Sequence, residues 1–550
     1  MCGFFGSVGP HLPSSIKHNI LQHLNSRGPT SDGCSSFSFQ GRVLTFLHSR
    51  LAIQDHSDYS NQPFSVREFG LSIVYNGEIY NLSFLKTLLK QYTQKSFASD
   101  TELILYSYHY LGLECFSLFS GIFSIAIFDH CSQELILARD RLGIKPLYYQ
   151  STFSGFQFGS TVKSLSWTKD ISQSKISQSA LFSYSIWGSV DAPYSIYTTI
   201  SEFPPGSIGV FTTDLSIQPF PSHSLSNSHY SSNFSKLFKS AISDQLVGVD
   251  HACVFLSGGL DSSLLATCIS SILPDATTSL ALSFPKFPAI DEHSSSSHVA
   301  NSLGLNHCSI PISIDTLETS FDDFIFHLDQ PSIDGFNTFL VSRVAVDHGF
   351  KVAFSGLGAD ELFYGYPHMA SSSITRFVSA RLLRYHGVPR TSLNIILKRR
   401  LQFARTHGFS SYELNFYLKN TLLRDSDSFS QSQGLELRVP YLDNIIIDFA
   451  LSKSSSEHLF LGPKSLLHQL AVDLSVPLPP NQKKGFNLPL GAWLLSTSRF
   501  SPKRLHRLLE PLKISRESIF LSWLEMRISP RRCAAYWRWV VLAEWLVANS

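Results

Sequence analysis

The sequence predicts an α+β protein in two parts. Stacked β-sheets with helices outside come first, then a parallel α/β sheet that runs into a mostly helical C-terminal third. Three observations carry this reading. Short β-rich runs bounded by Gly, Asp and Asn fill the first two hundred residues. A polar stretch, PSHSLSNSHYSSN (221–233), then breaks the pattern as a linker does. Beyond it strand-like runs alternate with helical ones, which implies parallel strands. The expected intervals are 1–215, a linker over 216–233, and 234–550.

The elements follow in order. Ile16, Ile20, Leu21 and Leu24 have helical spacing and predict a helix near 14–26. VLTFLHSRLAI (43–53), LSIVYNGEIYN (71–81), IFSIAIFDH (122–130), ELILARD (134–140) and PLYYQ (146–150) read as strands. TELILYSYHYLG (101–112) interrupts them as a helix, and SEFPPGSIGVF (201–211) reads as a last hairpin. ACVFL (252–256), TTSLALSF (277–284) and KVAFS (351–355) are the strands of the second part. HSSSSH (293–298) is a short low-complexity run, read as a solvated helix face.

At 550 residues the chain can hold two to four domains. A formal net charge of +2 and 43% apolar residues argue against bulk-charge binding of nucleic acid. Eight cysteines without a CxxC pair fit neither a zinc knuckle nor a disulfide scaffold, and reduced thiols in the cytoplasm are expected. No basic region followed by an apolar core opens the chain, so no signal peptide is visible. CAAYWRWVVLAEWLVA (533–548) is too short to span a bilayer and carries Arg538 and Glu544. A packed helix, and no membrane partner, is the expectation.

Three stretches carry chemistry. Cys2 follows the initiator methionine in MCGFFGSV. It is either a small apolar residue of the first strand or, once Met1 is removed, a nucleophile whose own α-amine serves as base. HACVFLSGGLDSSLLATCISSI (251–272) is strand, glycine loop, helix. Its glycines admit close backbone approach, and its hydroxyls and helix N-terminal amides favour a phosphate-like anion. It is not a Walker A loop, because GxxxxGK[ST] is absent. KVAFSGLGADELFYGY (351–366) repeats the architecture, with Asp360-Glu361 at a helix start. Those carboxylates suit Mg²⁺ or an ammonium group, or act as helix caps.

SGGLDSS (257–263) matches the pyrophosphate loop of the ATP pyrophosphatase family. With it in view, the opening resembles the glutaminase domain of class II amidotransferases. The whole arrangement resembles the glutamine-hydrolysing asparagine synthetase family. The N-terminal matches are Met1-Cys2-Gly3, Arg27-Gly28-Pro29, Arg50-Leu51-Ala52-Ile53, Tyr75-Asn76-Gly77-Glu78-Ile79-Tyr80-Asn81, Ser99-Asp100-Thr101-Glu102 and the run from Arg139 to Tyr148. The later matches are Leu282-Ser283-Phe284, Asp291-Glu292, Asp329-Gln330-Pro331, Ser355-Gly356-Leu357-Gly358-Ala359-Asp360-Glu361, Arg438-Val439-Pro440-Tyr441-Leu442-Asp443, Pro463-Lys464-Ser465-Leu466-Leu467 and Lys483-Lys484-Gly485-Phe486.

The resemblance implies a fold and a set of roles. The fold would be an α+β glutaminase domain (αββα stacked sheets, Ntn-hydrolase-like), then an α/β ATP-pyrophosphatase domain with a helical C-terminal part. Cys2 would attack the glutamine amide, with its α-amine shuttling the proton. Asn76 and Gly77 would form the oxyanion hole. Arg50 would clamp the α-carboxylate, Asp100 the α-ammonium, and Glu78 would assist. Leu256, Ser257, Gly258, Gly259, Leu260, Asp261, Ser262 and Ser263 would bind ATP and pyrophosphate, with Leu282, Ser283, Ser355, Gly356, Asp360 and Lys464. Asp261 and Asp360 would hold Mg²⁺, which neutralises the leaving group. Ammonia would pass internally to a β-aspartyl-AMP formed from aspartate and ATP. A homodimer is a further possibility of the family.

The match departs in four places. Leu357 stands where enterobacterial and animal relatives carry a Glu thought to handle a proton, as in a bacterial branch with this loop. Thr30 replaces the usual Asp, Ala359 a usual Ser or Gly, and His468 a common Arg. The acceptor is therefore less secure than the chemistry. Besides asparagine synthesis, the residues leave open a sibling amidotransferase acting on a surface-sugar acid or peptide. A β-lactam-forming relative and a non-catalytic member are also open.

Overall fold

The computed structural model describes residues 2–53, 57–153, 155–167, 175–221, 233–370, 393–453, 462–479 and 487–549. Met1 and the 483–486 motif lie outside them, as does most of the polar 221–233 stretch. Two compact units emerge: 1–175 with 192–250 and 430–449, and 176–191 with 251–429 and 450–550.

The first unit has twelve strands: β1 (Cys2–Gly9), β2 (Ser31–Phe39), β3 (Arg42–Arg50), β4 (Phe64–Val66), β5 (Leu71–Ile79), β6 (Gly121–Asp129), β7 (Glu134–Arg139), β8 (Tyr148–Thr152), β9 (Gly155–Gly159), β10 (Ser201–Glu202), β11 (Ser207–Phe211) and β12 (Leu215–Pro219). One sheet runs β10-β8-β9-β1-β3-β2, the other β12-β11-β7-β6-β5-β4. The period-2 pattern decides what each face meets. Val74 on β5 joins Phe4, Phe46, Ala126, Phe128 and Leu137 in the layer between the sheets. Its neighbours Ile73 and Tyr75 point the other way, against Leu103 and Ile104 of helix Asp100–Leu111. Helix Ser14–Asn25 covers β1 and β3 on the outer face of the first sheet. This is the expected αββα layering.

The inter-sheet layer is largely phenylalanine. Phe156 stacks on Phe211 at 4.3 Å, and Phe39 stacks on Phe211 at 5.9 Å. Each fully buried ring contributes about 1.5–3 kcal/mol.

Two expectations need correction here. The 201–211 hairpin does not form: β10 pairs with β8 in one sheet, whereas β11 pairs with β7 and β12 in the other. Pro204 and Pro205 between them carry no N–H for a ladder, so the chain crosses between sheets. The linker expected at 216–233 begins too early, because 215–219 is strand β12. The compact units also cut the chain differently from the expected intervals. Helix Phe234–Leu246 belongs with the first unit, where Phe234 stacks on Phe449 at 4.9 Å and Phe238 meets Tyr441 at 5.1 Å.

In the second unit β13 (Ala252–Phe255), β14 (Thr277–Ser283), β15 (Asn306–Pro311) and β16 (Val352–Phe354) are parallel. Their order is β15-β14-β13-β16, so the chain winds outward from β13 on one side and returns on the other. That reversal opens a crevice at the C-terminal ends of β13 and β16, where open α/β sheets bind ligands. Helix Ala534–Ala548 buries Tyr536, Trp537, Trp539 and Val540, and Trp537 Nε1 donates to Ile333 O at 2.9 Å. It is a packed helix; among the described residues no helix is long and apolar enough to cross a membrane.

Asp443 begins helix Asn444–Ser452, its Oδ1 accepting the Ile445 N–H at 3.0 Å. Burial, with Asp244 nearby, pushes its carboxyl from 3.8 up to about 6. Above pH 6 the folded chain therefore holds an ionised acid at a cost. Between 6 and 3.8 it binds a proton that the unfolded chain does not, so this residue's contribution becomes more favourable as pH falls. Asp443→Asn keeps the cap acceptor and removes the charge. Thermal denaturation of the variant should show a gain of up to about 3 kcal/mol at pH 8 that fades toward pH 4.

Candidate active sites

Cys2 opens β1 and lies opposite Arg50 at the end of β3. Asn76, Gly77 and Glu78 end β5 in the other sheet. The two sheets meet here through a hydrogen bond from Cys2 N to Asn76 Oδ1 at 3.2 Å. His48, fully buried on β3, adds a second tie of 3.2 Å to the Tyr75 carbonyl. Burial lowers the His48 imidazole to about 3. The ring is neutral, and its Nε2 carries the proton because a carbonyl faces it.

A cleft of about 670 Å³, counted to its open mouth, gathers Cys2, Arg50, Gly77, Glu78 and Asp100. All are residues expected to handle one amino acid with a side-chain amide. Arg50 is buried, and its Nη1 donates to Ser57 O at 2.8 Å and to Asn61 Oδ1 at 2.9 Å. Asp100 is the first residue of helix Asp100–Leu111, which Ser99 caps. Opposite charges thus stand at two places in one cleft, as a zwitterion requires.

The remaining corner holds Gly77, with Asn76 beside it, the pair expected to form an oxyanion hole. Among the described residues Asn76 Nδ2 is buried without a hydrogen-bond partner, an expensive state unless a ligand oxygen fills it. Gly77 has φ +155°, and a Cβ there would stand 2.1 Å from the Ile122 carbonyl oxygen, so only glycine fits. Burial pushes the Cys2 thiol up, so attack needs a base. Burial also pushes the Asp100 carboxyl up, and lifts Glu78 well above the usual carboxylate range with Glu436 reinforcing the rise.

Residues that the sequence did not single out complete the wall. Gln62 Oε1 accepts the Tyr75 N–H at 2.6 Å and so fixes β5 from the loop side. An isolated glutamine in a loop gave no signal. Thr30, the departure from Asp, still supplies an acceptor, to the Ala52 N–H at 3.2 Å.

In the second unit the loop after β13 is laced by hydroxyls. Ser262 Oγ accepts the Ser257 N–H at 3.2 Å, and Ser257 Oγ accepts the Gly259 N–H at 3.2 Å. Gly258 has φ +77°, and a Cβ there would lie 2.4 Å from the Ser295 carbonyl carbon. The serine run HSSSSH is therefore more than a solvated face: its backbone is the surface on which the glycine loop rests. Ser263 Oγ is fully buried with no hydrogen-bond partner among the described residues. Leu282 and Ser283 end β14 beside Leu256, whose N–H binds Leu280 O at 2.8 Å.

Asp261 and Asp360 converge on one ammonium. Lys464 Nζ donates to Asp261 at 2.6 and 2.7 Å, and also pairs with Asp360. Lys464 sits at φ +54°, uncommon for a long side chain and a mark of a constrained site. Ser355 and Gly356 lead from β16 toward Asp360; a Cβ on Gly356 would meet Asp261 Cβ at 3.2 Å. Among the described residues no three His, Cys, Asp or Glu cluster as a metal cage. Two carboxylates beside an anion loop suit Mg²⁺, which keeps waters and takes phosphate oxygens. Asp291 has a local task, accepting the Phe284 and His293 N–H groups at 3.1 Å each. His468 is exposed on helix Ser465–Asp473.

Removing the hole's side-chain donor tests the first cleft. Asn76→Ala should lower the rate of glutamate release from glutamine roughly 10²–10³-fold.

Comparison with known proteins finds similarity along both parts of the chain. Residues 1–220 match the family model of a glutamine amidotransferase domain, and residues 233–546 match that of asparagine synthase. The chain is 27% identical over 574 residues to asparagine synthetase [glutamine-hydrolyzing] 1 of Bacillus subtilis, covering 90% of this chain and 88% of that one. It is 28% identical over 505 residues to asparagine synthetase [glutamine-hydrolyzing] 3 of the same organism, with 82% and 80% covered. A probable asparagine synthetase [glutamine-hydrolyzing] of Schizosaccharomyces pombe is 25% identical over 579 residues, with 96% and 93% covered.

Proposed function

The chain belongs to the asparagine synthase family, and we propose that it makes asparagine from aspartate, with glutamine as nitrogen donor and ATP as driving force. The observation that carries this is the convergence of Cys2, Arg50, Gly77 and Asp100 on one cleft beside Asn76.

Glutamine enters with its α-carboxylate on Arg50 and its α-ammonium between Asp100 and Glu78. Cys2 Sγ attacks the side-chain amide carbon. With Met1 removed, the Cys2 α-amine takes the thiol proton, which the raised thiol requires, and passes it to the departing ammonia. The oxyanion settles on Asn76 Nδ2 and the Gly77 N–H. Water then cleaves the thioester to glutamate.

At the second site the β-carboxylate of aspartate attacks the α-phosphorus of ATP. Pyrophosphate leaves into the Ser257–Ser263 loop, where Lys464 supplies a point charge. Asp261 and Asp360 would hold Mg²⁺, whose chemistry is to neutralise phosphate charge. Ammonia, passed internally, attacks the acyl carbon of β-aspartyl-AMP, and AMP departs with formation of the amide. The eight cysteines are all free thiols, which suits a reducing compartment such as the cytoplasm.

Leu357 is half-buried in the second loop and cannot move a proton. The test is therefore pyrophosphate release with ATP, Mg²⁺ and glutamine, with and without aspartate, and with products read by mass. Aspartate-dependent release with asparagine, AMP and glutamate is expected. Glutamine hydrolysis without an aspartate response would assign the chain to another carboxylate acceptor. Cys2→Ala should abolish glutamine use and leave synthesis from ammonium intact. Equal loss with ammonium would refute separate sites.

A further inference from the structure

Behind the glutamine cleft lies a buried charge cluster contributed by a segment far along the chain. Residues 430–449 belong to the first unit, although chain order puts them inside the match to the asparagine synthase family. Within that segment Glu436 and Arg438 are wholly buried. Arg438 Nε donates to Glu436, and its Nη1 to the Gln245 carbonyl. Its Nη2 has no hydrogen-bond partner among the described residues and lies 3.9 Å from Glu78 Oε1. Glu78 in turn lines the cleft.

Glu78, Glu436 and Asp100 act on one another as like charges, and Arg438, Lys145 and the amino terminus oppose them. Arg438, 3.9 Å from Glu78, is the opposing charge that also pairs with Glu436. Without Arg438, Glu436 and Glu78 would face each other in a medium of low dielectric, and one would take a proton or turn away.

Resting on the glutaminase reading above, we infer that Arg438 is a positioning residue of the glutamine site, holding the Glu78 carboxylate at the cleft wall where the amino end of the substrate docks. It touches neither the scissile amide nor the nucleophile. Its loss therefore acts on substrate binding more than on the chemical step.

The experiment uses the full-length enzyme and steady-state glutamine hydrolysis. Arg438→Met is expected to raise KM for glutamine about tenfold with kcat within about twofold. Arg438→Lys, which keeps the charge, should bring KM most of the way back. In a Glu78→Gln background, Arg438→Met should add little further change, since both act through one carboxylate. Should Arg438→Met not fold, Arg438→Gln keeps a polar reach without charge and carries the same expectation. An unchanged KM in a folded neutral variant, a loss confined to kcat, or full additivity with Glu78→Gln would overturn the inference. Absence of glutamine hydrolysis in the unmodified enzyme would instead refute the glutaminase reading itself.

Discussion

The hydrogen bond of 3.2 Å from the Cys2 nitrogen to Asn76 Oδ1 is the constraint on which the first unit turns. It joins the first residue of one sheet to the last turn of a strand in the other. The phenylalanine layer sets the spacing of the sheets, and this contact sets their alignment where chemistry is possible. His48 and Gln62 reinforce it by holding the carbonyl and the N–H of Tyr75, one residue before Asn76. With its Oδ1 engaged, the Asn76 amide leaves its nitrogen for a ligand. In the proposed reaction the orientation of the oxyanion hole thus follows from the backbone of Cys2.

The two sites meet charge in different ways. In the proposed reaction the first cleft receives a zwitterion and develops a single oxyanion, which one guanidinium, paired carboxylates and neutral donors suit. The second site, in the same proposal, receives phosphates. It offers a hydroxyl-laced loop at a helix start and an ammonium already balanced by two aspartates. Lys464 therefore does not stand as an isolated buried cation, and phosphate can share it without leaving either aspartate unopposed. The parallel-sheet reversal between β13 and β16 brings Asp261 and Asp360 together from positions 99 residues apart in the sequence.

Much of this was legible in the chain because local rules agree there. Strands β5, β6 and β7 are apolar runs ended by turn residues, and each was expected within two residues of its bounds. The Cys2, Asn76-Gly77, SGGLDSS and Asp360 positions carry chemistry in their residue types. Strand β2, SDGCSSFSF, was not legible: its serines and glycine have little strand preference, and its alternating exposure comes only from pairing with β3. Strand β15, NHCSIP, was hidden for the same reason. The 201–211 hairpin failed because local turn signals cannot tell which sheet a strand will join. Arg438 was visible within a motif and Glu436 was not, and their neighbour Glu78 lies more than 350 residues away in sequence, farther than any spacing rule reaches.

The central claim is that nitrogen freed at Cys2 becomes the amide of asparagine. Its most direct measurement supplies amide-¹⁵N glutamine, ATP, Mg²⁺ and aspartate in the presence of excess unlabelled ammonium, and reads the mass of the product. The account predicts ¹⁵N-asparagine formed alongside glutamate, with AMP and pyrophosphate each equal to total asparagine, and with the label lost in Cys2→Ala. Glutamate without any labelled asparagine would contradict it.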